Sequence, residues 1–331
     1  MHIIPDNIIF HLLSLLFSFL ILAKSADFLV DGAVGIASIL KIPKMVIGII
    51  LVGFATTAPE FTVSLLSAIR GFPEIALGNA LGSVIVDDAL ALALGIVVAP
   101  TAIRVEKKTL RWFGIFLISI DILSFLLSLN GIINRLEGLL LLSILVVYLI
   151  VVFHTERKKK KAGMVEEELN EELEGYTKSG GLLKQSLRFM LGVGGVVLAS
   201  QFLIDSSVFI AGFFGASKAL IGLTVVAIGT SMPEIATCIT AARKGHGDLA
   251  FGDIIGADIL NVLWIIGAAS LANPIHVERS MILFAFPWML FIVVTMLSFA
   301  WWGYKLQRWK GFVLIAIYLV YLGLSLFRFI F

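Results

Sequence analysis

Ten apolar stretches, separated by short polar punctuation, run along this 331-residue chain. They fall at about 8–35, 42–68, 74–98, 112–129, 137–154, 187–212, 218–243, 248–271, 281–302 and 311–330. An α-helix needs roughly 20 apolar residues to cross a hydrocarbon core. In lipid only a helix or a closed barrel satisfies its own backbone, so the pattern predicts an all-α polytopic membrane protein of about ten transmembrane helices. One long polar segment interrupts the series, HTERKKKKAGMVEEELNEELEGYTKSGG at 154–181, a basic block followed by an acidic one. Such charge blocks read as a solvated linker, here with a short surface helix over EEELNEELE. The expected organisation is a five-helix unit over 1–153, a charged linker over 154–184 and a second five-helix unit over 185–331.

The two units are copies. Displaced by 174 positions, Phe28-Leu29, Asp31, Ile47-Gly48, Thr56, Pro59, Glu60, Gly71, Gly78 and Gly82 fall on Phe202-Leu203, Asp205, Ile221-Gly222, Thr230, Pro233, Glu234, Gly245, Gly252 and Gly256, with no gap. A duplicated unit explains the chain better than ten unrelated helices. Five crossings are an odd number, so the second copy lies upside down relative to the first. Inverted repeats of this kind place their site at the midplane, between broken helices.

Composition agrees with this picture: 59% hydrophobic residues, 15% charged and a mean hydropathy of +1.03. Cys238 is the single cysteine, so neither an intrachain disulfide nor a Cys-rich metal site is available. The first residues, MHIIPDNIIF, lack a basic lead and a cleavage site and read as the approach to the first span. Lysine and arginine divide unevenly between alternate loops, 19 against 5, with Lys24 left inside a span. The positive-inside rule puts the basic loops and the linker in the cytoplasm and both termini outside a cell membrane. His154, His246 and His276 sit at loops or span ends and are assigned no role. Trp112, Trp301, Trp302, Tyr304 and Trp309 read as interfacial anchors.

The chemistry lies inside the spans. GFATTAPE at 53–60 answers AIGTSMPE at 227–234, and each is followed by a second helix, carrying GNALGSVIVDD at 78–88 or GDIIGADILN at 252–261. Proline has no N–H and clashes with the preceding turn, so Pro59 and Pro233 leave carbonyls near Gly53 to Thr56 and Ala227 to Thr230 without helical donors. The hydroxyls of Thr56, Thr57, Thr230 and Ser231 lie beside Glu60 and Glu234. Carbonyl, hydroxyl and carboxylate oxygens together suit a hard cation, Ca2+ or Na+, and do not suit zinc or copper. A carboxylate at the bilayer centre costs about 2.5–3.5 kcal/mol on insertion scales. A divalent ion shared by Glu60 and Glu234 offsets that cost. On the following helices Asp87 matches Asn261 and Ser83 matches Ala257, and a spacing of four puts Ser83 and Asp87 on one face. Asp88 points about 100° away from Asp87. Asp253 and Asp258 are further acids whose roles stay open, and the Gly78/Gly82 and Gly252/Gly256 spacings read as close helix packing.

These segments resemble the two alpha-repeats of the cation/Ca2+ exchanger superfamily, and the chain is most similar to microbial sodium/calcium exchangers. The resemblance spans nearly the whole chain and is carried by ATTAPE and GTSMPE, each followed by a G-[ND]-x-x-G helix. It implies ten helices, two bundles rocking about a central site, and Ca2+ extruded against Na+ influx. Carried over by position, Glu60 and Glu234 ligate Ca2+ with carbonyls near Thr56 and Thr230. Thr57, Ser231, Ser83 and the carbonyls of Gly53 and Ala227 help to ligate Na+. Four positions depart from the family pattern. The usual first-repeat Asn is Asp87 and the second-repeat acid is Asn261; Ala257 replaces a Ser, and Asp253 an Asn. Those departures bear on coupling, so a proton/Ca2+ exchanger or a K+-dependent cation/Ca2+ exchanger of the same fold is the alternative. The expected partners are the lipid bilayer and the ions Ca2+ and Na+, or H+, with no cofactor, nucleic acid or obligate protein partner. An intramembrane hydrolase built on Asp87 and Asp253 lacks G-x-G-D, H-E-x-x-H and a nucleophile elbow, so no enzymatic activity is expected.

Overall fold

The computed structural model describes residues 7–39, 53–161, 181–243, 245 and 247–330. In chain order the first half contains α1 (Ile8–Ile39), α2 (Gly53–Thr56), α3 (Ala58–Ile69), α4 (Pro73–Val86), a π-helical turn over Asp87–Ala91, α5 (Leu92–Val98), β1 (Ile103–Arg104), α6 (Lys107–Ser128), β2 (Ile132–Ile133) and α7 (Arg135–Lys161). The second half contains α8 (Leu182–Phe214), α9 (Lys218–Ile221), a π turn over Gly222–Val226, α10 (Ala227–Thr230), α11 (Met232–Arg243) and α12 (Gly247–Leu260). It continues with a π turn over Asn261–Ile266, α13 (Gly267–Ala272), β3 (Ile275–His276), a π turn over Met281–Ala285, α14 (Phe286–Trp301), β4 (Lys305–Leu306) and α15 (Arg308–Ile330).

Among the described residues eight helices are long and apolar enough to cross a membrane. A ninth crossing is the pair Lys218–Thr230 and Met232–Arg243, bent by 44°. The remaining predicted span, 42–68, is represented by α2 and α3, because its first part lies outside the described residues. So does most of the charged segment, 162–180, together with His246.

The duplication read from the sequence is also written in the element boundaries. α2 and α10, α3 and α11, and α4 and α12 correspond at both ends under the 174-residue displacement that relates Asp87 to Asn261. Both π turns that follow α4 and α12 begin on those two residues. The hand of the repeat is fixed by two small strand pairs. β1 pairs antiparallel with β4, Ile103 opposite Leu306, and β2 with β3, Ile132 opposite His276. β1 and β2 sit at opposite ends of the 22-residue α6, a rod of about 33 Å. The repeat counterpart of β1 is the β3 region, and β3 is bonded to β2 at the far face. Equivalent loops therefore lie on opposite faces, and the halves are inverted.

The two spans carrying the GNALG and GDIIG segments are innermost: Pro73–Val98 and Ala250–Ala272 are mostly buried, whereas Arg135–Val152 is mostly open to its surroundings. Peripheral helices turn large apolar side chains such as Phe17, Leu136 and Phe312 outward, which is the lipid-facing surface of such a bundle. α1 and α8 form the most extensive helix pair. At 33 residues α8 is about 50 Å long, well beyond a hydrocarbon core of ~30 Å, so it crosses at a tilt or projects past the core.

Where α4 meets the second half, backbones touch. A Cβ on Gly82 would stand 2.6 Å from Leu223 O and 2.7 Å from Ala227 Cβ, and one on Gly222 would stand 2.6 Å from Ile75 O. Only glycine permits this approach, which is the close packing expected of a small-residue seam.

Candidate cation site

Each proline begins a helix. Thr57 (φ −79°, ψ 0°) separates α2 from α3, and Ser231 (φ −79°, ψ 9°) separates α10 from α11. Pro59 and Pro233 follow two residues later, in the first turn, where a missing N–H costs least. They leave the carbonyls of residues 55 and 229 without the usual donor. Glu60 and Glu234 come next, in the first turns of α3 and α11, where the helix dipole favours negative charge.

The inner helices bring the halves face to face. Asn261 Nδ2 donates to Asp87 Oδ2 at 3.4 Å, so the two repeat-related side chains meet across the pseudo-twofold. The carboxylates of Glu60 and Glu234 are close enough to repel one another. Asp87 acts on both glutamates, and the hydroxyls of Thr230 and Ser231 approach Glu60. Asn79 stitches the arrangement together. Its Nδ2 donates to Glu60 O at 3.3 Å and to Ser64 Oγ at 2.9 Å, and its Oδ1 accepts from Thr230 Oγ1 at 3.0 Å. Beside Glu60, Phe61 stacks on Trp264 at 3.8 Å, and Phe54 is tilted against the same ring.

Glu60, Glu234, Asp87, Asn261, Ser83, Thr57, Thr230, Ser231 and Ala227 are buried to within 1% of full enclosure, and Thr56 to 4%. Gly53 starts α2. Both carboxylate oxygens of Glu60 and of Glu234, Asp87 Oδ1, Thr57 Oγ1, Ser83 Oγ, Ser231 Oγ and Asn261 Oδ1 have no hydrogen-bond partner. Buried polar atoms are almost always paired, and acids buried without a counter-charge are costlier still. A set of partnerless oxygens contributed by both halves is chemically a cation-binding set. Among the described residues it is not a closed cage of three acidic, His or Cys side chains. The donors are mixed, carboxylate with hydroxyl and amide, as hard-cation sites are.

Asp88 adjoins Asp87 and belongs to a second group of acids. It faces Asp258, and Asp121 on α6 completes a sealed trio, all three side chains fully buried and without a hydrogen-bond partner. Asn79 and Asp121 were not singled out by the sequence reading. The available signal was a lone polar residue inside an apolar span, and for Asn79 its registry with Asp253.

A profile of the family described as sodium/calcium exchanger protein matches residues 10–154 and 184–327. The chain is 28% identical to the sodium/calcium exchanger MaX1 of Methanosarcina acetivorans, over 94% of this chain and 97% of that protein. It is 34% identical to the putative antiporter CaxA of Alkalimonas amylolytica, over 77% and 78% respectively, and 31% identical to the inner membrane protein YrbG of Escherichia coli, over 80% of each. Among solved structures, the sodium-calcium exchanger NCX_Mj soaked with Na+ and Sr2+ has the same fold. Its TM-score is 0.65 at 24% identity, with 96% of this chain and 99% of that one aligned.

Proposed function

This chain belongs to the sodium/calcium exchanger protein family, and we propose that it is a secondary antiporter exchanging Na+ for Ca2+ by alternating access. The observation that carries the reading is the buried, partnerless oxygen set drawn from both Pro-Glu segments. Glu60 and Glu234 supply the charge for Ca2+, with carbonyls near Thr56 and Thr230. Thr57, Ser231, Ser83, Asp87, Asn261 and the carbonyls of Gly53 and Ala227 serve Na+. The two sets adjoin in one cluster, so Ca2+ and the full complement of Na+ compete for its negative charge. Emptying it leaves mutually repelling acids in a low-dielectric interior, which disfavours an unloaded crossing. That penalty is what couples the two fluxes.

The moving parts follow from the packing. α1 and α8 hold chiefly to each other, while α4 and α12 sit at the centre. Rocking of the α1/α8 pair against the inner bundle exposes the site to one face and then, by the inverted symmetry, to the other. The excess of Lys and Arg in the loops on the β1/β4 face supports a cytoplasmic position for that face.

A second reading has support of its own. Every charged group in the site is a carboxylate and so able to carry a proton, which a proton/Ca2+ exchanger requires. Purified protein in sealed vesicles separates the two. Ca2+ uptake driven by an outward Na+ gradient at matched pH is the expected result. Uptake driven by a pH gradient alone establishes the proton reading, and no Ca2+ uptake on either gradient defeats the exchanger reading altogether.

A further inference from the structure

One amide ties the two Pro-Glu segments to each other, and it is supplied by the first half alone. Asn79, on α4, is fully buried. Its Nδ2 donates to the backbone oxygen of Glu60 at 3.3 Å and to Ser64 Oγ at 2.9 Å, both on α3. Its Oδ1 accepts from Thr230 Oγ1 at 3.0 Å, at the end of α10 in the other half. A primary amide has two N–H donors, so both are committed and the side chain cannot turn without breaking a bond. Its own backbone is held as well, since a Cβ on Gly222 would stand 3.0 Å from Asn79 N.

The second half lacks this bridge. Under the 174-residue displacement Asp253 and Cys238 stand for Asn79 and Ser64, and Thr237 stands for Val63. Glu234 O accepts from Thr237 Oγ1 at 3.1 Å, a bond within α11 that fixes nothing across the axis. Val63 has no hydroxyl to do the same for Glu60, and the donor comes from Asn79 instead. The backbone of Glu60 is therefore referenced to the second half, through Asn79 and Thr230, while that of Glu234 is held from within its own helix.

We propose that Asn79 is a positioning residue that sets the size selectivity of the central site, favouring Ca2+ over larger divalent cations. This rests on the exchanger reading above, in which Glu60 and a carbonyl near Thr230 both hold Ca2+. A hard cation is selected by the size of its cage, the number of its ligands and their freedom to move apart. Sr2+ has the charge and chemistry of Ca2+ and a larger radius, so to seat it the ligands from the two halves have to separate. That motion stretches the bonds from Asn79 to Glu60 O and Thr230 Oγ1, which oppose it. Ca2+ needs no such separation. Asn79 touches no ion in this scheme; it acts through Glu60 and Thr230.

The test compares Ca2+ and Sr2+ binding to the full chain in detergent, by calorimetric titration in Na+-free buffer. The quantity read is the ratio of the Sr2+ to the Ca2+ dissociation constant, which is expected to exceed one in the wild type. Asn79→Ala and Thr230→Val are each expected to lower that ratio by about fivefold, the equilibrium weight of one such hydrogen bond. Thr230→Ser keeps the hydroxyl and is expected to keep the wild-type ratio. A merely structural Asn79 would reduce the binding-competent fraction for both ions alike and leave the ratio unmoved. A wild-type ratio in Asn79→Ala overturns the inference, and so does a wild type that binds the two ions equally. If Asn79→Ala does not fold, Thr230→Val, which replaces a hydroxyl by a methyl of similar size, decides in the same way. Failure of the wild type to bind Ca2+ at all would instead sink the exchanger reading.

Discussion

Substituting Gly82 by alanine tests whether the seam between the halves sets the geometry of the site. The added Cβ would lie 2.6 Å from Leu223 O and 2.7 Å from Ala227 Cβ, whereas ordinary contact begins at 3.4 Å. A gap of about 0.8 Å, 3.4 less 2.6, has to open. Neither obstacle is the far end of a flexible side chain; one is a backbone carbonyl and the other a methyl fixed to a helix. Overpacking of this kind costs about 1–3 kcal/mol, offset in part by the ~1 kcal/mol that alanine gains over glycine in a helix. The functional effect is larger than the stability effect. Ser83 and Asp87 ride on the α4 side of the seam, and Ala227, Thr230 and Ser231 on the other. A displacement near 1 Å between groups that act together costs about 100-fold in rate. Gly194→Ala is the control, because nothing lies within 4 Å of its added Cβ. The expected outcome is Na+-gradient-driven Ca2+ uptake reduced by one to two orders of magnitude in Gly82→Ala, a melting temperature in detergent lowered by a few degrees, and neither change in Gly194→Ala. Wild-type uptake and melting in Gly82→Ala would show that the seam tolerates a methyl and that the close approach of the halves does not position the ligands.

Two further outcomes follow from the charges. Glu60→Gln and Glu234→Gln are each expected to abolish Ca2+ uptake while leaving the size-exclusion profile intact, since an isosteric amide removes charge without removing volume; exchange retained in both would withdraw the site assignment. Asp87→Asn is expected to change the Na+ dependence of uptake more than Ca2+ binding, and adding Asn261→Asp to it is expected to restore the wild-type dependence; a double variant no better than the single one would show that the two positions are not equivalent.

The fold was legible because membrane insertion leaves little freedom. Once the backbone has to satisfy itself, span lengths and the 174-residue registry of Pro59-Glu60 with Pro233-Glu234 lead to about ten helices in two inverted units, of which eight long spans and the bent Lys218–Arg243 pair lie among the described residues. The strand pairs at the loops were not legible: Ile103–Arg104 and Lys305–Leu306 are two residues each, too short for any alternation to register. The π turns were hidden for a similar reason, since widening a helix by one residue leaves the hydropathy pattern unchanged. At the site, the residues to consider were visible in the motifs, while their partners were not. Asn79 reads in sequence as one polar residue of a glycine-spaced helix. Its role emerges only when Glu60 O, Ser64 and Thr230, separated from it by 19, 15 and 151 positions, converge on one amide.

The geometry also accounts for a departure that the sequence presented as a puzzle, the acid found at Asp87 where the family pattern has Asn, with Asn261 in place of the acid. Taken along the chain, a charge has moved 174 positions, from one half to the other. In space Asp87 and Asn261 are hydrogen-bonded to each other at 3.4 Å, so exchanging acid and amide between them shifts the negative charge by only a few ångströms within one cluster of ligands. An effective dielectric of about 20 makes such a shift a modest perturbation beside the loss of a charge. Two facing positions on the axis of an inverted repeat can therefore trade acid for amide with little change in the charge that the site presents.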